Sequence, residues 1–344
     1  MPFAVLLAIR DHHTGHDLFQ QFDNVIILTQ QMRQSTDPEF GKILSQLRGH
    51  HRTSEDLQSV NNRVTSFRRI DICNSTQYIA RTNAVRHTIN LNAAFQYATS
   101  KGRPLHIFLS KHWANLGFSR RGDSGTQAVR PLTERELLQT FEAMDDTNNH
   151  SPAYFAFIPG MPVMVTKNVL QSLGIANGSG FTAVDVLPDA SSERIDLPGN
   201  IVVHSRPPTC LLVASKNTKD FKLPGLDPGV VPLLPISEPV IQRGSPYAWR
   251  MGLPCTPAFA ITDYKSQSQT FDKIALDIDT GSTFSSLYVG LSRCRTLEGV
   301  SLLRPIPIAV WNKKPSDKVR AGMVRLEKLS ERTVEKWRHL DIDG

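Results

Sequence analysis

The stretch from Pro257 to Pro305, PAFAITDYKSQSQTFDKIALDIDTGSTFSSLYVGLSRCRTLEGVSLLRP, constrains this chain more than any other. Two short runs of apolar and β-branched residues, AFAIT and KIALDI, flank a polar segment, YKSQSQTF. A third element, SLYVGLSR, ends in an arginine, and the strand-like VSLL follows it. Apolar strands alternating with polar turns read as a buried sheet edge that carries functional loops. The polar segment offers Thr262, Lys265, Ser266, Gln267, Gln269 and Thr270, side chains that donate or accept the hydrogen bonds used to hold phosphates. Arg293 and Arg295 add planar guanidinium forks, which grip phosphate oxygens in pairs.

A length of 344 residues predicts about two domains. With 40% apolar residues the chain can bury a core, and a net charge of +7 leans towards an anionic partner such as nucleic acid. The four cysteines, Cys73, Cys210, Cys255 and Cys294, are scattered without CxxC spacing. They fit a reducing compartment with neither a disulfide framework nor a zinc site. Cys294 stands between two arginines, which would acidify an exposed thiol; we read it as a spectator. The amino-terminal MPFAVLLAIRDHH has no basic lead and is too short to span a bilayer, so it reads as a strand remnant, and no membrane segment is expected. His50 and His51 have no acidic or thiol partner at ligand spacing and read as loop. Asp145 and Asp146 read as a solvated turn.

Taken in order, NVIIL (24–28) reads as a buried strand followed directly by QQMRQ. In DPEFGKILSQLR, Asp37 caps, Pro38 suits the first helical position, and Phe40, Ile43, Leu44 and Leu47 share one face. A short helix is expected over Ser54–Val60 and a strand at Gln77–Ile79, then a loop and helix in ARTNAVRHTINLNAAFQYA. In that helix Arg81, Arg86 and His87 either touch a phosphate or simply pack. Thr133 with Glu136 three residues on is a capping box. MPVMVTKN and FTAVDV read as strands, with Asn177-Gly178 as a hairpin signal between them. Strand-rich IVVHS, TCLLVAS and VVPLLPI follow, and after Pro315 an amphipathic helix is expected to pack on a domain edge.

These motifs carry a family resemblance. ITDYKSQSQTF resembles the fifth motif of the Pif1-like branch of superfamily 1 DNA helicases, and LYVGLSRCRTLEGVSLL resembles the sixth. TQQMRQ is similar to the family's fourth motif, matched by Gln30, Arg33 and Gln34. TNAVRHTIN resembles the TNxxVxxxN segment that follows it, with Arg86 where the pattern has valine. PGMPVMVTKN…LGIANGSG resembles the entry into the family's small SH3-like barrel.

The resemblance implies an α/β fold: a RecA-like, P-loop-NTPase-type domain of the second motor half (domain 2A) with an inserted β-rich SH3-like subdomain. It implies a division into 1–152 and 246–312 for that domain, 153–245 for the insertion and 313–344 for a helical tail. Arg33 and Arg293 would reach the γ-phosphate of ATP. Gln30, Gln34, Ser268, Gln269 and Thr270 would lie on the nucleotide side. Thr262, Tyr264, Lys265 and Ser266 would meet single-stranded DNA, and Lys167 and Asn168 either face nucleic acid or serve only their own hairpin. Ser268 departs from the family, which usually has glycine there.

Phosphoryl transfer also needs a GxxxxGK[ST] phosphate cradle and an acid pair for Mg²⁺, and neither motif occurs in the 344 residues. The chain therefore resembles the second half of a Pif1-like 5′–3′ helicase. ATP and Mg²⁺ would be used only with a first RecA-like domain supplied, and the chain alone is expected to be inactive. A non-catalytic module for single-stranded DNA or DNA junctions, or a decayed helicase fragment, are the other readings. The implied setting is nuclear or mitochondrial DNA repair, recombination and telomere maintenance.

Overall fold

The computed structural model describes residues 15, 17–49, 51–71, 76–115, 129–146, 149–242 and 245–338. The chain opens with two helices, α1 (Pro38–Gly49) and α2 (Ser54–Asn61), then strand β1 (Gln77–Ala80) and a long helix, α3 (Asn83–Lys101). Strands β2 (Leu105–Leu109), β3 (Lys111–Asn115) and β4 (Val129–Arg130) precede helix α4 (Glu134–Glu142). A β-rich run follows: β5 (Tyr154–Phe157), β6 (Pro162–Val165), β7 (Gly180–Leu187), β8 (Arg194–Leu197) and β9 (Ile201–His204). It continues through β10 (Cys210–Ala214), β11 (Val230–Leu233), β12 (Ile236–Gln242), β13 (Ser245–Gly252) and β14 (Cys255–Pro257). The chain closes with β15 (Ala260–Thr262), α5 (Asp263–Ser266), β16 (Ile274–Leu276), α6 (Phe284–Leu291), β17 (Val300–Leu302), α7 (Ile308–Trp311) and α8 (Asp317–Trp337).

The centre is a four-stranded parallel sheet in the order β15-β1-β16-β17. AFAIT and KIALDI are both in it, but they do not pair with each other, because β1 lies between them. Successive side chains on a strand face opposite ways. Tyr78 and Ala80 accordingly enter one core with α3, while Ile79 enters the other with Phe40, Leu44, Leu47, Leu287 and Trp311. Covering both faces is what lets so short a parallel sheet persist in water. The first core runs on without a break from Ala93, Ala94 and Tyr97 of α3 into the β-rich region through Phe157, Val163, Leu211 and Leu233.

That region holds a five-stranded antiparallel sheet, β11-β10-β7-β6-β14, and two further sheets, β5-β2-β9-β8 and β12-β13-β3-β4. The strands of 153–245 do not close on themselves. β14 completes the five-stranded sheet from beyond that range, while β5 and β9 both pair with β2. MPVMV and FTAVDV pair antiparallel as expected, but a 3-10 turn at Gln171–Leu173 lies between them. Gly178, at φ +91, donates its N–H to Val165 at 2.8 Å and so starts the return strand rather than making a two-residue hairpin.

Local signals formed as read in α1, where Phe40, Ile43, Leu44 and Leu47 are buried, and in α4, where Thr133 and Glu136 complete their capping box. One run did not. NVIIL is not a buried strand: Ile26 and Leu28 are 76% and 89% exposed. Neither edge of the sheet is open to it: the Asn90 side chain bonds to the outer side of β15 at Ala260. The open side of β17 is taken by residues 63–65, through Thr65 N–H to Leu302 O (2.8 Å) and Leu302 N–H to Arg63 O (3.0 Å). The run lies along α8 instead, where Val25 N–H donates to Thr333 Oγ1 (2.9 Å) and Ile27 N–H to Ser330 Oγ (3.3 Å). α8 is half-buried at Met323, Leu326 and Leu329, and Val319 is exposed. Residues 1–14, and with them the expected amino-terminal strand, lie outside the described residues. Among the described residues no helix is long and apolar enough to cross a membrane.

Candidate nucleotide-phosphate and nucleic-acid site

Three segments far apart in sequence are stitched together at one end of the parallel sheet. Asp37, at the start of α1, accepts Phe40 N–H (3.0 Å) on one carboxylate oxygen and Leu297 N–H (2.9 Å) on the other. Gln34 is buried and donates to the carbonyl of Cys294 at 2.7 Å. Phe271 N–H reaches Arg293 O (3.0 Å), and Arg295 N–H returns to Phe271 O (3.2 Å). These bonds leave Arg33 little choice of place. Its Nε donates to Thr270 Oγ1 at 2.9 Å and its Nη1 to Ser292 O at 2.8 Å.

Arg293 is held by Val289 O (3.0 Å, from Nε) and Ser292 Oγ (2.8 Å, from Nη2). Burial, and then the positive charge of Arg33, push its pKa down. Both guanidinium groups bond to Ser292, so two like charges lie close together in a half-buried corner. Among the described residues no carboxylate forms an ion pair with either. Arg295, in contrast, pairs with Asp272 at 2.9 Å and is more than half exposed. Two unneutralised guanidinium groups side by side form a site for a polyanion.

The polar segment between β15 and β16 divides in two. Thr262 ends β15 and its hydroxyl accepts Lys265 N–H at 3.4 Å, capping the single turn of α5. Ser266 is fully buried and its hydroxyl donates to Asp263 O at 2.7 Å. Tyr264 is 79% exposed. Lys265 Nζ donates to Asn177 Oδ1, which links the segment to the β6–β7 connection. Beyond the turn, Gln269 folds back on Lys265 O at 2.9 Å. Ser268 sits at φ +65, a backbone conformation that side chains with a Cβ resist and glycine accepts.

Tyr264 and Lys265 form one wall of an open cleft of about 350 Å³. Arg81, Thr82 and Asn83, where the chain passes from β1 into α3, line the same cleft. Lys167 pairs with Glu238 at 3.6 Å, and Asn168 accepts Asn177 N–H at 2.9 Å, so both brace the β-rich side of the cleft. Gln30 is exposed and lines a separate cleft of about 600 Å³ beside α8, with Arg48 and Tyr288. Among the described residues no group of three or more His, Cys, Asp and Glu side chains is placed to hold a metal ion.

The sequence reading missed what lies at the back of the cleft. Asp145 is not a solvated turn residue: it is 2% exposed and pairs with Arg86 at 2.8 Å, while His87 lies 3.6 Å from its other oxygen. The only sequence signal for this was Arg86 itself, standing where the resemblance has valine. Burial, ahead of the nearby charges, lowers the pKa of His87. Cys294 is buried too, and burial raises its thiol pKa. Its position between two arginines does not acidify it.

No family model matches the chain. Among known proteins it is 24% identical to an ATP-dependent DNA helicase Pif1 of Psychrobacter sp. (strain PRwf-1), over 76% of this chain and 38% of that one. It is similar in fold to the crystal structure of the Pif1 helicase from Candida albicans, with TM-score 0.58 and 18% identity over 87% of this chain and 60% of that chain. The Bacteroides Pif1 helicase in complex with ADP-AlF3 and single-stranded DNA gives TM-score 0.55 and 18% identity, over 88% of this chain and 57% of that one. The chain thus spans less than two thirds of the relatives it matches. The chain is similar to the Pif1 helicases in sequence and shares their fold over part of their length.

Proposed function

We propose that this chain is the second motor half of an ATP-dependent 5′–3′ DNA helicase, and that its two paired arginines reach across to a nucleotide held by a first motor domain. The observation that carries this is the convergence of Arg33 and Arg293, 260 positions apart in the chain, on Ser292, with no ion pair to either among the described residues. Triphosphate oxygens supply the missing negative charge. Bound ATP with Mg²⁺ supplies the phosphoryl group and its leaving group. This chain's own contribution is to stabilise charge on the transferring phosphate, a role worth about 10³–10⁵ in rate where one arginine fulfils it. Thr270 and Ser292 orient Arg33, and Val289 and Ser292 orient Arg293.

In the same proposal the cleft between α3 and α5 takes single-stranded DNA. Tyr264 offers an exposed ring for a base to stack on, and Lys265 and Arg81 offer charge to the backbone. Only the three residues Ser266 to Ser268 separate Lys265 from Gln269, and Gln269 is bonded back to the Lys265 carbonyl. Grip on DNA and contact with nucleotide therefore share one short segment. The expected setting is nuclear or mitochondrial DNA.

The test uses the purified chain. It is expected to bind an oligonucleotide of single-stranded DNA with affinity that falls steeply as salt rises, and to turn over no ATP. Steady ATP hydrolysis by the chain alone would overturn the half-motor reading. Absence of DNA binding at low salt would overturn the reading of the cleft.

A further inference from the structure

β15 has a free edge, and one side chain closes it. In a parallel pair, alternate residues turn their N–H and C=O towards the neighbour and away from it. Tyr78 N–H donates to Phe259 O at 3.1 Å, which aims the N–H and C=O of Ala260 out of the sheet. Among the described residues no strand lies on that side. Asn90 of α3 takes its place: its Nδ2 donates to Ala260 O at 3.0 Å and its Oδ1 accepts Ala260 N–H at 2.7 Å. Asn90 is only 3% exposed, so both bonds are made away from water, where an unmade bond costs most.

The two ends of this link lead to two segments that line the cleft. Asn90 lies two turns into α3, whose first turn brings Arg81, Thr82 and Asn83 to the cleft. Ala260 stands two residues before Thr262, which caps the turn carrying Tyr264 and Lys265, also in the lining of the cleft. Residues 170 positions apart are thereby joined by a single amide, which adds to the β1–β15 ladder that already holds the two segments side by side. Asparagine alone does this at that length. Aspartate keeps the acceptor but sets a carboxylate against the Ala260 carbonyl, and leucine keeps the shape but offers neither bond.

We propose that Asn90 is a positioning residue for nucleic-acid binding: its two-point bond to Ala260 locks α3 onto β15 and so holds the two cleft-lining segments in place. The proposal rests on the reading of that cleft as the path of single-stranded DNA. Asn90→Asp and Asn90→Leu test it against Ala94→Gly, which weakens the same helix at a fully buried position but leaves both Asn90 bonds in place. Two readouts are taken, affinity for an oligothymidylate and amide hydrogen exchange over residues 260–266. Both Asn90 variants are expected to raise Kd about tenfold, the loss of one or two buried bonds. Exchange should speed up selectively at 260–266, while Ala94→Gly at equal loss of Tm leaves Kd within about twofold. Equal effects of Ala94→Gly and the Asn90 variants on Kd would overturn the proposal, and so would unchanged exchange at 260–266 in both Asn90 variants. If the unaltered chain binds no DNA, the cleft reading fails by itself, and the exchange data still decide whether Asn90 sets the loop.

Discussion

Removing the carboxylate of Asp145 would strand the Arg86 guanidinium at the back of the cleft. The two side chains are 7% and 3% exposed, and Nη2 meets the carboxylate at 2.8 Å and the Asp145 carbonyl at the same distance. Water cannot take over the lost bond. Breaking a buried pair from one side costs about 3–5 kcal/mol, whereas replacing both partners by apolar groups is often neutral or better. Asp145→Ala should therefore lower the unfolding free energy by about 3–5 kcal/mol. Arg86→Val, the residue the family pattern has there, leaves Asp145 with only His87 and should cost somewhat less. The double variant should recover at least about 2 kcal/mol of the summed losses, which is the coupling of a true contact pair. Urea denaturation of the four proteins measures this cycle. Losses that add within about 0.5 kcal/mol would refute the reasoning, since they would mean that the pair is solvated and contributes little.

Other outcomes follow from single positions. Ser268→Gly relieves a left-handed backbone worth about 1–2 kcal/mol, offset by about 0.5–1 kcal/mol of glycine chain entropy, so a gain of roughly 0.5–1 kcal/mol is expected in the same denaturation assay. Burial, helped by Arg250, lowers the pKa of His112 to about 4, and burial also lowers those of His87, His106 and His204. Below the unfolded histidine value the unfolded chain binds protons that the folded chain refuses. Tm should therefore fall as pH drops from 7 towards 4, and His112→Gln should flatten part of that slope; a Tm independent of pH over this range would contradict the burial of these rings. Thiol labelling with peptide mapping should modify Cys210 well before Cys255 and Cys294, which are fully buried with thiol pKa values raised by burial.

What could be read from the sequence was what depends on near neighbours. The apolar spacing of α1 and the Thr133–Glu136 capping box involve residues within one or two turns of each other, and both formed as read. Strand content was legible in AFAIT, KIALDI and VSLL, but their order was not, because β1 inserts between the first two from 180 residues upstream. NVIIL misled because apolar character marks a strand only if a sheet edge is open to it, and residues 63–65 had filled that edge. Asp145 looked solvated because its partner lies 59 positions away. Asn90 was visible as part of a motif, yet nothing local showed that it bonds to Ala260. The pairing of Arg33 with Arg293 was reachable only through the family resemblance, since no spacing rule joins residues so far apart.

The central claim is that Arg33 and Arg293 act together on a nucleotide held elsewhere. Its most direct test joins this chain to the part of a Pif1 helicase that it does not match, and measures ATP hydrolysis stimulated by single-stranded DNA. Arg33→Ala and Arg293→Ala are each expected to lower kcat by about 10³-fold or more with folding intact, and the double variant by little beyond that, as for residues acting as a unit. Turnover in either single variant within a few-fold of the unaltered fusion would contradict the claim.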